Sequence, residues 1–279
     1  MTRPGEYKKV QRPPTVPPSH AGQAFVGTSG FIYPHWGGGV FYPEDLPQRR
    51  WLEYYAGHFD TAELNVTFYR LPTEGAFRSW YKRTPKGFAF ALKGSRFITH
   101  IKRLKDCQGP LESYFDRARL LKEKLSVVLW QLPPRYKKDT QRLKTFIKSL
   151  KPYTACRHAF EFRDASWVAE EVYELLGEAD MALCEADWPG MPQSTLNGPV
   201  TASPVPIRYR ASFVYLRHHG PGGEWGLYSG CYSKAFLREE AERIKALLKQ
   251  GRSVYIYFNN DAEGWAVRNA LELKEILKG

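Results

Sequence analysis

Eight short runs of β-branched, aromatic and aliphatic residues alternate with amphipathic stretches from residue 24 to the end of the chain. "AFVG", "DTAELN", "GFAFALK", "LSVVLWQL", "CRHAFEFR", "DMALCEAD", "SFVYLRHHG" and "SVYIYFNN" read as strands, being short, rich in strand formers and bounded by turn residues. Between them, stretches such as "TEGAFRSWYKRT", "DTQRLKTFIKSL" and "SKAFLREEAERIKALLKQG" carry apolar residues at helical spacing. "GSRFITHIKRLKDC" reads as a basic loop, and "WPGMPQSTLNGPVTASPVPIRYR" is too rich in Pro and Gly for a regular helix. Strands that each hand over to a helix call for a parallel sheet, and eight of them close a barrel. A doubly wound open sheet is the alternative. Its dinucleotide fingerprint is missing, since the first strand runs into "GTSGFIYPHWGGG" without G-x-G-x-x-G, and no Lys-Ser/Thr pair marks a P-loop there. The chain thus reads as an α/β protein: a TIM-like (β/α)8 barrel over residues 24–279, with an irregular segment in place of the helix after strand six. Residues 1–23 read as a flexible, Pro-rich basic arm.

With 43% hydrophobic residues the chain can build a core, yet no run approaches the ~18 apolar residues of a membrane span. The first residues contain no apolar stretch of a secretory signal. Cys107, Cys156, Cys184 and Cys231 lie far apart without a C-x-x-C pair, which suits reduced thiols. A cytoplasmic protein without membrane contact is the expectation. The net charge of +12 is unevenly placed: residues 1–150 carry 26 Lys and Arg against 12 Asp and Glu, the remainder 15 against 17. Such asymmetry suits a nucleic acid or a phosphorylated partner, although lysines that merely solvate helix faces produce it too.

In a barrel, chemistry belongs to the carboxyl ends of the strands, where alternate residues share a face. Glu63 pairs in this way with Asn65, Glu161 with Arg163, Arg217 with His219, and Asn259 with Tyr257 and Asp261, while Gln131 and Asp187 end their strands. Each of these, taken singly, also suits a helix cap or a satisfied strand-end hydrogen bond. Six strand ends of one character favour a polar site, because Glu and Arg are seldom buried unless paired. Within it, Glu63 and Asp187 suit a general acid or base, Glu161 beside an arginine suits an orienting role, and His219 can move protons near neutral pH. Arg163 and Arg217 suit an anion clamp; Asn65, Gln131 and Asn259 can orient a substrate. No His-rich cluster supports a multi-zinc site, and one Mg²⁺ or Mn²⁺ on carboxylates is the metal the residues would accept. A mouth closed by direct pairing of Glu161 with Arg163 or Arg217, with no cavity left, would count against any site.

Aromatic residues crowd the loops on this side: Phe31, Tyr33, Trp36, Trp188, Trp225 and Tyr228, of which Trp36 and Tyr228 are candidate substrate contacts. Trp167 and Trp265, in early helical turns, suit the core. Arg96, His100, Lys102 and Arg103 form a candidate nucleic-acid contact in the basic loop, and Asp261 suits the cap of the last helix.

"GTSGFIYPHWGGGVFYPEDLPQRRWLEYYAGHFDTAELNVTFYRLPT", "GFAFALKGSRFITH", "LWQLPP", "AFEFRDASW", "HGPGG" and "VYIYFNNDAEGWAVRNAL" together resemble the domain-of-unknown-function 72 family, the YecE-like proteins. The resemblance covers about residues 24–275 and implies a TIM-like barrel whose motif positions include Glu63, Asn65, Gln131, Glu161, Arg163, Asn259 and Asn260. That fold is similar to endonuclease IV, which implies phosphodiester chemistry by analogy, although this chain lacks the His-rich ligand set of that enzyme. Three functions follow: a barrel enzyme using acid/base or metal-assisted chemistry on a phosphorylated or nucleic-acid ligand, a non-catalytic nucleic-acid-binding protein, or a sugar or sugar-phosphate isomerase or lyase.

Overall fold

In the computed structural model, which describes residues 22–187, 209–222 and 226–279, each apolar run has become a strand of one parallel sheet. The strands are β1 (Ala24–Thr28), β2 (Thr61–Leu64), β3 (Ala89–Lys93), β4 (Leu125–Gln131), β5 (Arg157–Glu161), β6 (Ala182–Ala186), β7 (Phe213–His218) and β8 (Ser253–Phe258). Their order around the sheet is β1-β8-β7-β6-β5-β4-β3-β2. A bridge between Ser29 and Glu63 and a hydrogen bond from Gly30 N to Glu63 O at 2.7 Å join β1 to β2 and close the ring. The result is a TIM-like (β/α)8 barrel.

The helices are α1 (Trp51–His58), the single turn α2 (Val66–Tyr69), α3 (Glu74–Arg83), α4 (Gln108–Ala118), α5 (Thr140–Leu150), α6 (Glu170–Glu178), α7 (Lys234–Lys249) and α8 (Trp265–Lys278). In α5, Leu143, Phe146, Ile147 and Leu150 are buried at spacings of three and four, so one face packs on the barrel. Thr73, Asp139 and Ser233 cap α3, α5 and α7 through their side chains, satisfying otherwise unpaired N–H groups. Two expectations change here. The basic loop after β3 contains a π-helical turn over Phe97–Ile101, and Asp261 makes no side-chain cap. Asp261 instead pairs with His35 at 3.4 Å, and Gly264, in the left-handed region at φ 74°, precedes α8. The expected irregular segment after strand six, most of the N-terminal arm, Trp188 and Trp225 lie outside the described residues.

Alternation along the strands builds two separate cores. Outward residues such as Leu92, Val128, Trp130, Phe160 and Ile256 pack beneath the helices. Inward residues fill the barrel, among them Phe25, Ala89, Ala91, Val127, Leu129, Tyr215, Tyr255 and Tyr257. Small alanines on β3, β5 and β6 share this interior with tyrosines from β7 and β8, and the large side chains fill the space the small ones leave. The four cysteines are free thiols, with Cys107, Cys156 and Cys184 buried and Cys231 exposed. Among the described residues no helix is long and apolar enough to cross a membrane.

Candidate functional site

Above the tyrosine layer the inward positions become polar, and Arg217 on β7 stands at their centre. Its Nε and Nη2 donate to Glu63 Oε2 and Oε1 at 3.0 and 2.8 Å, a two-pronged pair across the barrel. Its Nη1 donates to Glu161 Oε2 at 2.7 Å and lies 3.1 Å from His219 Nε2, while Nη2 also reaches Ser29 Oγ at 3.3 Å. Glu63 further accepts from Ser29 Oγ at 2.6 Å and Tyr215 Oη at 2.7 Å. Glu161 accepts from Gln131 Nε2 at 2.8 Å and Arg163 Nε at 2.7 Å. Arg217, Glu63 and Glu161 are all within 1% of complete burial.

This geometry corrects several assignments. The donors of Arg217 are spent on the protein's own groups, two carboxylates, the Ser29 hydroxyl and His219 Nε2, so Arg217 braces four strand ends and has no N–H left over for a ligand. Burial alone would raise the Glu63 carboxyl, but Arg217, Ser29 and Tyr215 outweigh it and hold it below the usual carboxylate range. Glu161 is governed the same way, burial being outweighed by Arg217 and Arg163. Asp187 accepts from the His219 backbone N–H at 2.5 Å, lies 3.1 Å from His219 Nδ1, and receives the Tyr232 hydroxyl. Burial is again overcome, by His218, His219 and Tyr232, and the Asp187 carboxyl is held low. Glu63 and Asp187 are therefore anchored anions and not proton donors at neutral pH. His219 is fully buried, and burial lowers its imidazole below the ordinary value, so it is neutral at pH 7.

Trp36 is also corrected: it is wholly buried and donates from Nε1 to the Asp261 carbonyl at 2.8 Å, so its ring meets Tyr33 and no ligand. Trp167 is core, stacked on Phe162 at 4.4 Å, whereas Trp265 is only half-buried and carries Arg268 over its ring. Tyr228 stays exposed at the rim, 5.7 Å from the His219 ring. Among the described residues no group of three or more His, Cys, Asp or Glu gathers to hold a metal ion, and the carboxylates of Glu63 and Glu161 face arginines instead.

Beside the braced carboxylates, the ends of β2 and β3 carry polar side-chain atoms with no hydrogen-bond partner among the described residues. Lys93 ends β3 on the same inward face as Ala89 and Ala91, and is only 8% exposed. Its Nζ sits 4.4 Å from the centre of the Phe68 ring and makes no hydrogen bond or ion pair among the described residues. Burial first, then the Arg217 charge, lower this amine to about 8, because Glu161 and Glu63 only partly offset them. After the neighbouring strand β2, Asn65 Oδ1 is buried with no hydrogen-bond donor among the described residues. Asn259 ends the inward face of β8 at 9% exposure, its backbone N–H bonded to His218 O at 2.6 Å. Reading only carboxylates, amides and arginines at strand ends misses Lys93; the same alternate-residue rule applied to "AFALK" finds it.

The basic turn forms the outer rim. His100 packs edge-on against Phe68 at 5.0 Å, its Nδ1 lying 2.9 Å from Thr99 Oγ1. Burial and the charges of Lys93 and Arg96 lower it to about 4, so it is neutral at pH 7. Arg96 and Arg103 are exposed and Lys102 is half-buried, 5.8 Å from the exposed Phe97 ring. Of the nucleic-acid candidates, His100 is the one that packs on Phe68, the ring that also carries the Lys93 amine.

Fold and site together define a (β/α)8-barrel protein with a buried charge network at the carboxyl ends of its strands, beside a lysine that has no ion pair among the described residues. The family model for "Protein of unknown function DUF72" matches residues 25–279, and the chain belongs to that family. The UPF0759 protein YunF of Bacillus subtilis is 26% identical over 278 residues, covering 91% of this chain and 94% of that protein. A DUF72 family protein from Thermotoga maritima superposes with a TM-score of 0.76 at 30% identity, covering 92% of this chain and 100% of that one. A second DUF72 structure, from Enterococcus faecalis, shares the fold at 18% identity with a TM-score of 0.72, covering 92% of this chain and 96% of that one.

Proposed function

We propose that the barrel mouth is the active site of an enzyme that binds a phosphorylated small molecule and acts on it by acid/base chemistry. The Lys93 amine, lowered to about 8, is the group that exchanges a proton near neutral pH. One observation carries this reading. Three cationic groups, Arg217, Arg163 and Lys93, share the mouth with Glu63 and Glu161, whose oxygens are already taken by the arginines, while the third carboxylate, Asp187, is taken by His218, His219 and Tyr232. The positive charge left over belongs to Lys93, which pairs with no anion among the described residues. A buried ammonium without a counter-ion is costly, and a phosphate or similar oxyanion relieves that cost. Asn65 and Asn259, at the ends of β2 and β8, supply amide groups to orient the rest of the molecule. At pH 7 an amine of this pKa is about nine-tenths protonated, so the mouth is poised for an anion in its resting state.

Titration calorimetry with inorganic phosphate and simple sugar phosphates tests the reading. Lys93→Met should weaken phosphate binding about tenfold or more, the range expected when a charge-assisted hydrogen bond is removed from a partly desolvated site. Equal affinity in wild type and variant would overturn it.

A nucleic-acid ligand is the second reading, supported by the rim. Tyr69, Phe97 and Ile101 are 73%, 52% and 64% exposed, and Arg96 and Arg103 are exposed beside the last two. Base stacking on aromatics with cations along the backbone is how single strands are held. Charge reversal at Arg96, Lys102, Arg103 and Lys105 should then abolish oligonucleotide binding and its salt dependence. Unaltered binding would count against this rim.

A further inference from the structure

We infer that the Lys93 amine is a covalent attachment point, forming an imine with the carbonyl group of an anionic aldehyde or ketone bound in the barrel mouth. The inference rests on the anion-binding reading above and names the chemical class of its substrate. A lysine paired with a carboxylate holds its proton and is a poor nucleophile; Lys93 is spared that pairing by its neighbours. Glu63 is claimed by Arg217, Ser29 and Tyr215, and Glu161 by Arg217, Arg163 and Gln131. Two arginines therefore screen both nearby carboxylates from the amine while adding like charge to its surroundings, and burial beside the Phe68 ring completes the setting that activates a lysine. The backbone is held as firmly as the side chain is free: Lys93 O accepts from Thr67 Oγ1 at 2.7 Å and from Tyr114 Oη at 3.3 Å.

The step balances without an oxidant or reductant. The nitrogen lone pair of the neutral amine attacks the carbonyl carbon, forming the C–N bond as the C–O π bond opens. The oxygen leaves as water, taking one proton from the nitrogen and one from solvent. The product is a protonated imine, whose positive charge lies in the field of Glu161 and Glu63 where the ammonium's charge lay before. Such an imine withdraws electrons from the adjacent carbon, as proton abstraction or carbon–carbon cleavage next to a carbonyl requires.

The full-length protein is incubated at pH 7 with glyceraldehyde 3-phosphate and cyanoborohydride, and reduced adducts are mapped by peptide mass spectrometry; phosphate binding is measured in parallel on the same protein. Lys93 should be labelled at least about tenfold faster than the exposed Lys86, because about a tenth of an amine lowered to about 8 is free at pH 7. Inorganic phosphate should slow the labelling of Lys93 and not of Lys86, and Lys93→Arg should abolish the fast adduct. Labelling of Lys93 no faster than of Lys86, in protein that binds phosphate, would overturn the imine while leaving the anion site standing. Slow labelling together with no phosphate binding would overturn both.

Discussion

Arg217 shows how much of a site one side chain can organise. Within its reach it joins residues from the ends of β1, β2, β5 and β7, and every partner is buried. Removing a single partner from such a network leaves charges that neither water nor a counter-ion relieves. Arg217→Met should therefore destabilise the protein by about 3–5 kcal/mol, read as a shift in the urea midpoint with an unchanged slope. The triple change Glu63→Gln, Glu161→Gln and Arg217→Met should be milder than Arg217→Met alone, since neither buried carboxylate is left without its guanidinium. A triple variant worse than the single one would mean that packing, and not charge, sets the cost. The inward faces of Glu63, Glu161 and Arg217 are legible from alternation along their strands. Their mutual pairing is not, because it joins residues 154 and 56 positions apart.

At the scale of elements, the seam between β1 and β2 is where the barrel closes, and Gly27 is what permits it. A Cβ there would stand 2.4 Å from the Thr61 carbonyl oxygen on the facing strand. Gly27→Ala should push the strands apart and cost at least about 2 kcal/mol, and thermal unfolding of the variant checks it; an unshifted Tm would show that the seam can give. The strands themselves are readable to within a residue or two, since β propensity and turn residues bracket them locally. The π turn Phe97–Ile101 is not readable. Its sequence, basic and without periodicity, looks like loop, and only packing of Ile98 and Thr99 beneath the rim decides otherwise. Asp261 misleads in the opposite direction: a residue of capping type before a helix is drawn away by His35 from the first loop.

For the whole molecule, His218 ties the barrel to its outer layer. The ring is buried between Asp187 at 3.8 Å and Glu240 of α7 at 3.3 Å, and Arg243 on the same helix pairs with Glu185 of β6 at 2.5 Å. Burial would lower His218, but Asp187 and Glu240 outweigh it and raise the imidazole to about 9. A histidine with a raised folded pKa stabilises fully below its unfolded value of about 6.5, and that contribution fades as pH rises through the folded value. Stability should thus fall between about pH 6.5 and 9, by on the order of 3 kcal/mol, and His218→Gln should flatten the decline in urea titrations. A wild-type curve flat over that range would refute the coupling. The amino-acid sequence by itself determined the barrel, since strand and helix signals are local and eight repeats of them leave few arrangements. It also placed the polar residues at the strand ends, because alternation is a property of the backbone. Only the tertiary structure decided which of them are partners and which are open. Arg217 closed on two carboxylates from distant strands and so left Lys93 without one among the described residues, an outcome of three-dimensional charge balance that no single segment encodes.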